Sequence, residues 1–352
     1  MDFSPETTPL PSTVTLGRPG RTRSVGLVLG AGGVAGYAFH IGALAALGEH
    51  GRFDARGADL IVGTSAGAAI GSLLRAGLSG ADLYAHRLGR TLSPEGDALV
   101  ALLPALAWDG GPEHRPRQGP ASVLLAARGL LRWPPRPGVM LAGALRRGVR
   151  SPTPLGEHHR ALHARWPAAS LWLCAVRMRD GRRVVFGRDD HPPLDVGRAV
   201  AASCAVPRRF SPVAVHDEQY VDGGTWSATN ADLLAHVGFD VVVIIAPLST
   251  PHGLRATGRL LAAARQDGCK PRRLVARAYH RAVLQAEVRR VLRSGTPVVT
   301  IEPTQDDLVV LDARGPSPDG GVDIAEQAFA SVAARLRSDH ELAVLLTPTV
   351  VS

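Results

Sequence analysis

Short apolar runs, each closed by a glycine, set the pattern of the chain. Val25 to Leu29 is bounded by Gly30, and Asp59 to Val62 ends at Gly63. An unbroken apolar run of this length fits a strand buried on both faces of a parallel sheet better than an alternating surface strand. Behind the first run, Tyr37 to His50 reads as a helix. Behind the second, the small-residue stretch Ala66 to Gly77 predicts another helix packed closely on a sheet. Two strand-to-helix units in succession predict an α/β fold with a parallel sheet.

The pattern changes from about Leu78 to Arg165. Apolar helical pieces, Ala98 to Trp108 and Ala121 to Leu131, alternate there with joints rich in Pro, Gly and Arg (Gly110 to Pro120, Trp133 to Gly138), which reads as an insertion or cap. Sheet and helix then resume with Leu171 to Val176, Val184 to Phe186, a helix from Val196 to Cys204 stopped before Pro207, and Gln219 to Val221 leading into Asp222-Gly223-Gly224. Val241 to Ala246 is the most apolar strand. Leu254 to Leu292 reads as an arginine-dense helix, Val298 to Ile301 as a strand and Ile324 to Arg337 as a last helix. No internal repeat is visible. The expected organisation is a disordered, proline-punctuated leader at 1–22, one domain at 23–345 with the cap at 78–165, and a short tail at 346–352.

Composition narrows the function classes. The 352 residues are 45% hydrophobic and 20% charged, which excludes a wholly disordered chain. Lys+Arg 40 against Asp+Glu 31 gives a net charge of +9. Lys270 is the only lysine, and the arginines are scattered among hydrophobic residues rather than interleaved with aromatics, so nucleic acid is not the expected partner. Cys174, Cys204 and Cys269 form no C-x-x-C pair, so neither a disulfide framework nor a zinc site is expected. The N-terminus lacks the basic and apolar regions of a signal peptide, and no apolar run reaches the roughly 18 residues of a spanning helix. The expected location is cytoplasmic, with contact to membranes only at their surface.

The strongest chemical signal is Gly63-Thr64-Ser65-Ala66-Gly67, a G-x-S-x-G between a predicted strand and a predicted helix. That is the setting of a nucleophile elbow: small flanking residues permit a sharp turn, and the serine is thrust out beside a helix N-terminus. The bland alternative is a small-residue turn with Ser65 as an ordinary helix cap. A second signal is the loop Gly30-Ala31-Gly32-Gly33-Val34-Ala35-Gly36. It satisfies G-x-G-x-x-[GA] literally, but a dinucleotide site needs an acid near the end of the second strand, and Asp59 opens that strand instead. Beside a nucleophilic serine, such a loop makes better sense as an oxyanion hole. No histidine after Ser65 stands out as a base: His191 precedes two prolines, His216 lies in a polar turn, and His236 and His280 sit on predicted helices. Asp222, released by Gly223-Gly224, is the remaining candidate, against the reading of a plain Asp-Gly turn.

In combination these motifs resemble the patatin-like phospholipase family. The resemblance runs from Val25 through Gly33, through His40-Ile41-Gly42-Ala43-Leu44 and the Ser65 motif, to Ala201-Ala202-Ser203-Cys204-Ala205-Val206-Pro207, Phe210-Ser211-Pro212-Val213, Tyr220 to Gly224, Asn230 and, more faintly, Val298 to Pro303. It implies a three-layer fold with a mainly parallel central sheet flanked by helices, plus a helical cap insertion. It also implies a serine acyl hydrolase acting on the carboxylic esters of lipids, with Ser65 as nucleophile, Asp222 as base, Gly32 and Gly33 as oxyanion donors, and Gly30, Gly36, Gly63, Gly67, Gly223 and Gly224 shaping the turns. No cofactor or metal is implied.

There are departures. Ala35 stands where the family commonly has Arg or Lys, Ala31 replaces one of its glycines, and the spacing before His40 is one residue longer. Loss of that cation weakens the expectation of a phospholipid head group, unless Arg208 or Arg209 substitutes. The cap, with Arg128, Arg132, Arg136, Arg146 and Arg147 flanking apolar helices, fits either an anionic lipid interface or simple packing over the core. Two other readings stay open: a catalytically silent lipid-binding scaffold of the same fold, and a nucleotide-binding oxidoreductase using the Gly30 loop.

Overall fold

The computed structural model describes residues 23–104, 111, 121–131, 136–188, 194–250, 271–314 and 321–346. The leader, most of the tail, Cys269, His191, Arg132 and the first part of the arginine-dense helix lie outside these residues.

The strands are β1 (Val25–Leu29), β2 (Leu60–Thr64), β3 (Ser170–Arg177), β4 (Arg183–Phe186), β5 (Val213–Val215), β6 (Glu218–Asp222), β7 (Val241–Ile245) and β8 (Val298–Ile301). The helices are α1 (Gly33–Gly51), α2 (Ala66–Ala76), α3 (Gly80–Arg87), α4 (Pro94–Val100), α5 (Val123–Leu131), α6 (Pro137–Ala144), α7 (Thr153–Arg160), α8 (Val196–Ser203), α9 (Pro271–Arg293), α10 (Gln305–Arg314), α11 (Gly321–Ser338) and α12 (His340–Leu346). One sheet runs β5-β6-β3-β2-β1-β7-β8, with β4 also paired to β3. Its centre, β3-β2-β1-β7-β8, is parallel, while β4, β5 and β6 pair antiparallel.

The unbroken apolar runs are explained by two covered faces. Leu27, Leu29, Ile61, Leu171, Val243 and Ile245 pack against helices α1, α2, α8 and α11. Their alternates Val28, Leu60, Val62, Val242 and Ile244 pack against Leu234 and Phe239 and against Leu284 and Val291 of α9. The result is three layers. On the first face α1 and α11 touch so closely that a Cβ on Gly42 would fall 2.0 Å from the Ala325 carbonyl oxygen. A third, smaller core joins Leu125 of α5 and Val139 and Ala142 of α6 to Val176, Met178 and Val221, so this helical hairpin lies over β3 and β6.

Element boundaries differ from the sequence reading in instructive ways. Helix α1 starts at Gly33, inside the glycine loop, rather than at Tyr37. Strand β2 continues through Gly63 to Thr64, delivering the serine directly at its end. Of the helix expected over Ala98 to Trp108, residues 105–108 lie outside the described residues; in the described part the helix is Pro94–Val100, started by Ser93, whose side chain accepts from the Gly96 N–H, and by Pro94. Helix α3 was not expected; Ser79 and Asp82 form a reciprocal capping box at its start. His236, expected on a helix, stands in a turn at φ 70°. Within the 78–165 stretch, α3 packs on α1, α7 packs on α8 and α5 pairs with α6. Among the described residues no helix is long and apolar enough to cross a membrane.

Candidate active site

The site grows from the carboxyl edge of the parallel strands. Ser65 directly follows β2 and precedes α2, with φ 54° and ψ −118°, a left-handed backbone that side chains other than glycine rarely adopt. The turn is held by contact. A Cβ on Gly67 would lie 1.9 Å from the Leu29 carbonyl oxygen, and one on Gly63 would lie 2.6 Å from the Ala68 Cα. Those two glycines let α2 press against β1 and β2. The Ser65 N–H donates to the Ser203 hydroxyl at 2.9 Å, and that hydroxyl donates to the Cys174 carbonyl at 2.7 Å. Thus α8 braces the elbow, a role that the sequence reading did not assign to Ser203, although its motif was noted.

Sheet register carries Asp222 toward Ser65. Thr64 pairs with Cys174 on β3, and the next β3 residue, Ala175, pairs with Asp222 on β6. The two residues therefore stand on either side of β3, about two strand spacings or roughly 10 Å apart in backbone, a gap their side chains close. Ser65 and Asp222 are each only 4% exposed. The Asp222 Oδ1 accepts from the Gly224 N–H at 2.6 Å. Its Oδ2 is buried without a hydrogen bond, while the Ser65 hydroxyl lies close enough to the carboxyl to favour its charged form. Burial outweighs both contacts and pushes the carboxyl up to about 6. The Ser65 hydroxyl also lies against the Cys204 thiol, which burial and the Asp222 charge hold well above the usual thiol range. Cys204 is thus a neutral neighbour, not a competing nucleophile.

The glycine loop borders the same space. The Gly30 and Ala31 N–H groups are taken by the Ile245 and Ala228 carbonyls, at 2.9 and 2.7 Å. Gly32 and Gly33 open helix α1, where first-turn N–H groups have no partner within the helix. At Gly33, φ is +60° and no atom lies within 4 Å of where a Cβ would be, so its outer side faces open space. At Gly32 a Cβ would lie 2.5 Å from the Gly36 Cα. Gly224 approaches the loop from the Asp222 side, 3.3 Å from the Ala31 methyl measured from its absent Cβ. His40, reaching back from α1, donates from Nε2 to the Gly30 carbonyl at 2.7 Å and is held neutral by burial, its proton affinity lowered to about 4.

A buried polar chain supports the segment after Asp222. The Asn230 amide donates to the Thr64 hydroxyl at 3.1 Å and to the Ser227 carbonyl at 2.7 Å, while its own oxygen accepts from Arg183. Glu287 of α9 accepts from the Thr229 hydroxyl and, at 3.0 Å, the Ala231 N–H. Burial and the neighbouring Asp232 raise its proton affinity. Sequence reading noted Asn230 but not Glu287, Arg183 or Asp232, because nothing local marks residues that act across the fold. Of the arginines suggested as head-group cations, Arg208 lies in a left-handed turn and Arg209 stacks on Phe210. Both sit shortly beyond Ala205, whose carbonyl accepts the Asp222 N–H at 3.0 Å. Away from all this, a cleft lined by Arg52, Asp54, Arg56 and Phe329 lies at the C-terminal end of α1, a helix length of about 28 Å from the glycine loop.

A mainly parallel α/β sheet with a strained serine at its carboxyl edge, faced by a buried aspartate and a glycine loop, defines the class of fold and site. The family model described as Patatin-like phospholipase matches residues 27–235, more than half of the chain. The protein belongs to this family, whose members are lipid hydrolases. Among solved structures, VipD from Legionella pneumophila aligns at 13% identity with a TM-score of 0.40, covering 90% of this chain and 67% of that one. The type III effector ExoU aligns at 20% identity with a TM-score of 0.33, covering 90% of this chain and 53% of that one. No curated protein matches the chain significantly.

Proposed function

We propose that the protein is a serine acyl hydrolase that cleaves carboxylic esters of lipids through Ser65 and Asp222. The observation that supports this reading is the approach of the hydroxyl of a backbone-strained serine to a buried carboxyl, one of whose oxygens has no hydrogen bond. Asp222 takes the Ser65 proton as Oγ attacks the ester carbonyl carbon. The carbonyl oxygen gains negative charge against the N–H groups of Gly32 and Gly33 at the start of α1. Collapse breaks the carbon to alkoxy oxygen bond, and the proton on Asp222 passes to the departing alcohol. Water then attacks the acyl-serine, giving its proton to Asp222, and the acid leaves as Ser65 recovers its proton.

An ordinary carboxylate is a weak base. Raising its proton affinity to about 6 brings it nearer to the working range of a general base at neutral pH. The test is labelling with a fluorophosphonate together with turnover of a short-chain nitrophenyl ester. Labelling and turnover are expected in the wild type, both lost in Ser65→Ala and turnover lost in Asp222→Asn. A folded wild type that neither labels nor turns over, with or without lipid vesicles, overturns the proposal in favour of a silent scaffold.

A further inference from the structure

The hairpin of α5 and α6 is the part of the surface whose chemistry is not accounted for by the fold. Among the described residues, eleven large hydrophobic side chains are exposed, and five of them are on this hairpin: Val123, Leu124, Leu130, Leu131 and Leu141, at 70, 53, 61, 81 and 48%. The other six are spread over the rest of the chain. At 100° per residue, the four on α5 fall within an arc of about 120°, and the buried Leu125 and Gly129 lie on the opposite side. The inner side is fully engaged: Leu125 is in the third core, and a Cβ on Gly129 would lie 2.3 Å from the Met140 nitrogen. The outer side is an apolar face without a protein partner among the described residues.

Charge says what covers that face. From residue 114 to residue 156 the chain carries eight arginines and no aspartate or glutamate. Arg128, at the margin of the apolar arc, and Arg146, just beyond α6, are exposed. An apolar helical face bordered by cations with no acid of its own hairpin suits the boundary between acyl chains and anionic head groups. The position suits it too. Gly138 of α6 approaches Thr225 so closely that a Cβ would lie 2.2 Å from its carbonyl oxygen, three residues beyond Asp222.

We propose that the outer face of α5 and α6 docks the protein on an anionic lipid surface, with Leu124, Leu130 and Leu131 entering the acyl region and Arg128 and Arg146 meeting head groups. As delivery of substrate to Ser65, it rests on the acyl hydrolase reading above; as binding, it does not. The test therefore reads the two apart. Ser65→Ala protein, which consumes no lipid, is floated with vesicles of phosphatidylglycerol and phosphatidylcholine and with vesicles of phosphatidylcholine alone. Binding is expected to the anionic vesicles and to weaken in high salt. Leu124→Ser with Leu131→Ser is expected to weaken it about tenfold or more, and Arg146→Ser about fivefold.

In the otherwise wild-type chain, the same leucine substitutions are expected to leave turnover of a soluble nitrophenyl ester and the unfolding midpoint unchanged. Equal binding to both vesicle types, or binding unaffected by the leucine pair, overturns the proposal. So does self-association that the leucine pair abolishes in a protein that ignores vesicles, since the face would then belong to a second copy. Vesicle binding that meets expectation in a protein without esterase turnover would instead defeat the hydrolase reading and leave the docking surface standing.

Discussion

Replacing Asp222 by asparagine should disable the protein and stabilise it, and the stabilisation should depend on pH. Asparagine keeps the shape of the side chain and an oxygen for the Gly224 N–H, but it cannot accept the Ser65 proton and carries no charge to bury. The folded protein holds the Asp222 proton up to about 6, against an ordinary value of 3.8. Stability linked to this carboxyl is therefore whole below 3.8 and is lost progressively as pH rises to about 6, after which the loss is constant. At about 1.4 kcal/mol per pH unit, the loss amounts to about 3 kcal/mol. The asparagine variant escapes it. Urea unfolding of both proteins at about pH 4 and about pH 7.5 measures the difference, with the linear extrapolation applied at each pH. The advantage of Asp222→Asn is expected to be about 2 kcal/mol larger at the higher pH, because part of the loss is already present at pH 4, with ester turnover lost. An advantage that does not change with pH, or that shrinks as pH rises, would refute the claim that a desolvated Asp222 carries its charge in the folded state.

On the proposed mechanism the same carboxyl sets the acid limb: kcat/KM for a soluble ester is expected to fall tenfold per pH unit below about 6, and a limb near 4 would contradict the burial of Asp222. Ser203→Ala strips the buried Ser65 N–H and Cys174 carbonyl of their partner. A loss of about 1–3 kcal/mol in stability is expected, with reduced kcat and little change in KM, checked by urea unfolding and ester kinetics. Glu287→Ala leaves the Thr229 hydroxyl and Ala231 N–H without an acceptor. It should cost at least about 1–3 kcal/mol, whereas Glu287→Gln, which retains an acceptor and no charge, should unfold close to the wild type. Gly67→Ala places a methyl 1.9 Å from the Leu29 carbonyl oxygen and is expected to abolish soluble folded protein, read by expression and circular dichroism.

What was legible in the sequence was whatever repeats locally. The buried parallel strands announced themselves through unbroken apolar runs such as Val241–Ile245, and the serine turn through glycines that must be small because backbone passes within 3 Å of where a Cβ would stand. Helix starts were less legible where glycine belonged to the helix, as at Gly33, since its φ of +60° serves the turn and the first helical residue together. The supporting polar chain was hidden for a different reason. Glu287 and Thr229 are separated by 58 positions and Asn230 and Thr64 by 166, so only the sheet order brings them together. The same holds for Asp222, which the sequence could nominate but not place. Its approach to Ser65 depends on β6 pairing antiparallel beside β3, a register set by partners far apart in the chain.

Burial raises the proton affinity of Asp222, and it covers Ser65 as well. Ser65 and Asp222 are both 4% exposed, so on the proposed mechanism the elements around them decide how an ester reaches Oγ. The first face of the sheet offers little freedom, because α1, α2, α8 and α11 are locked into the large core and α2 cannot retreat from Leu29 without undoing the elbow. The α5 and α6 hairpin is held by a much smaller core, in which Leu125, Val139 and Ala142 meet Val176 and Val221 of the sheet and Met178 just beyond β3. The elements that hold Ser65 and the helical pair proposed to meet lipid are thus anchored in separate cores, so a change at the outer leucines leaves the serine turn in place.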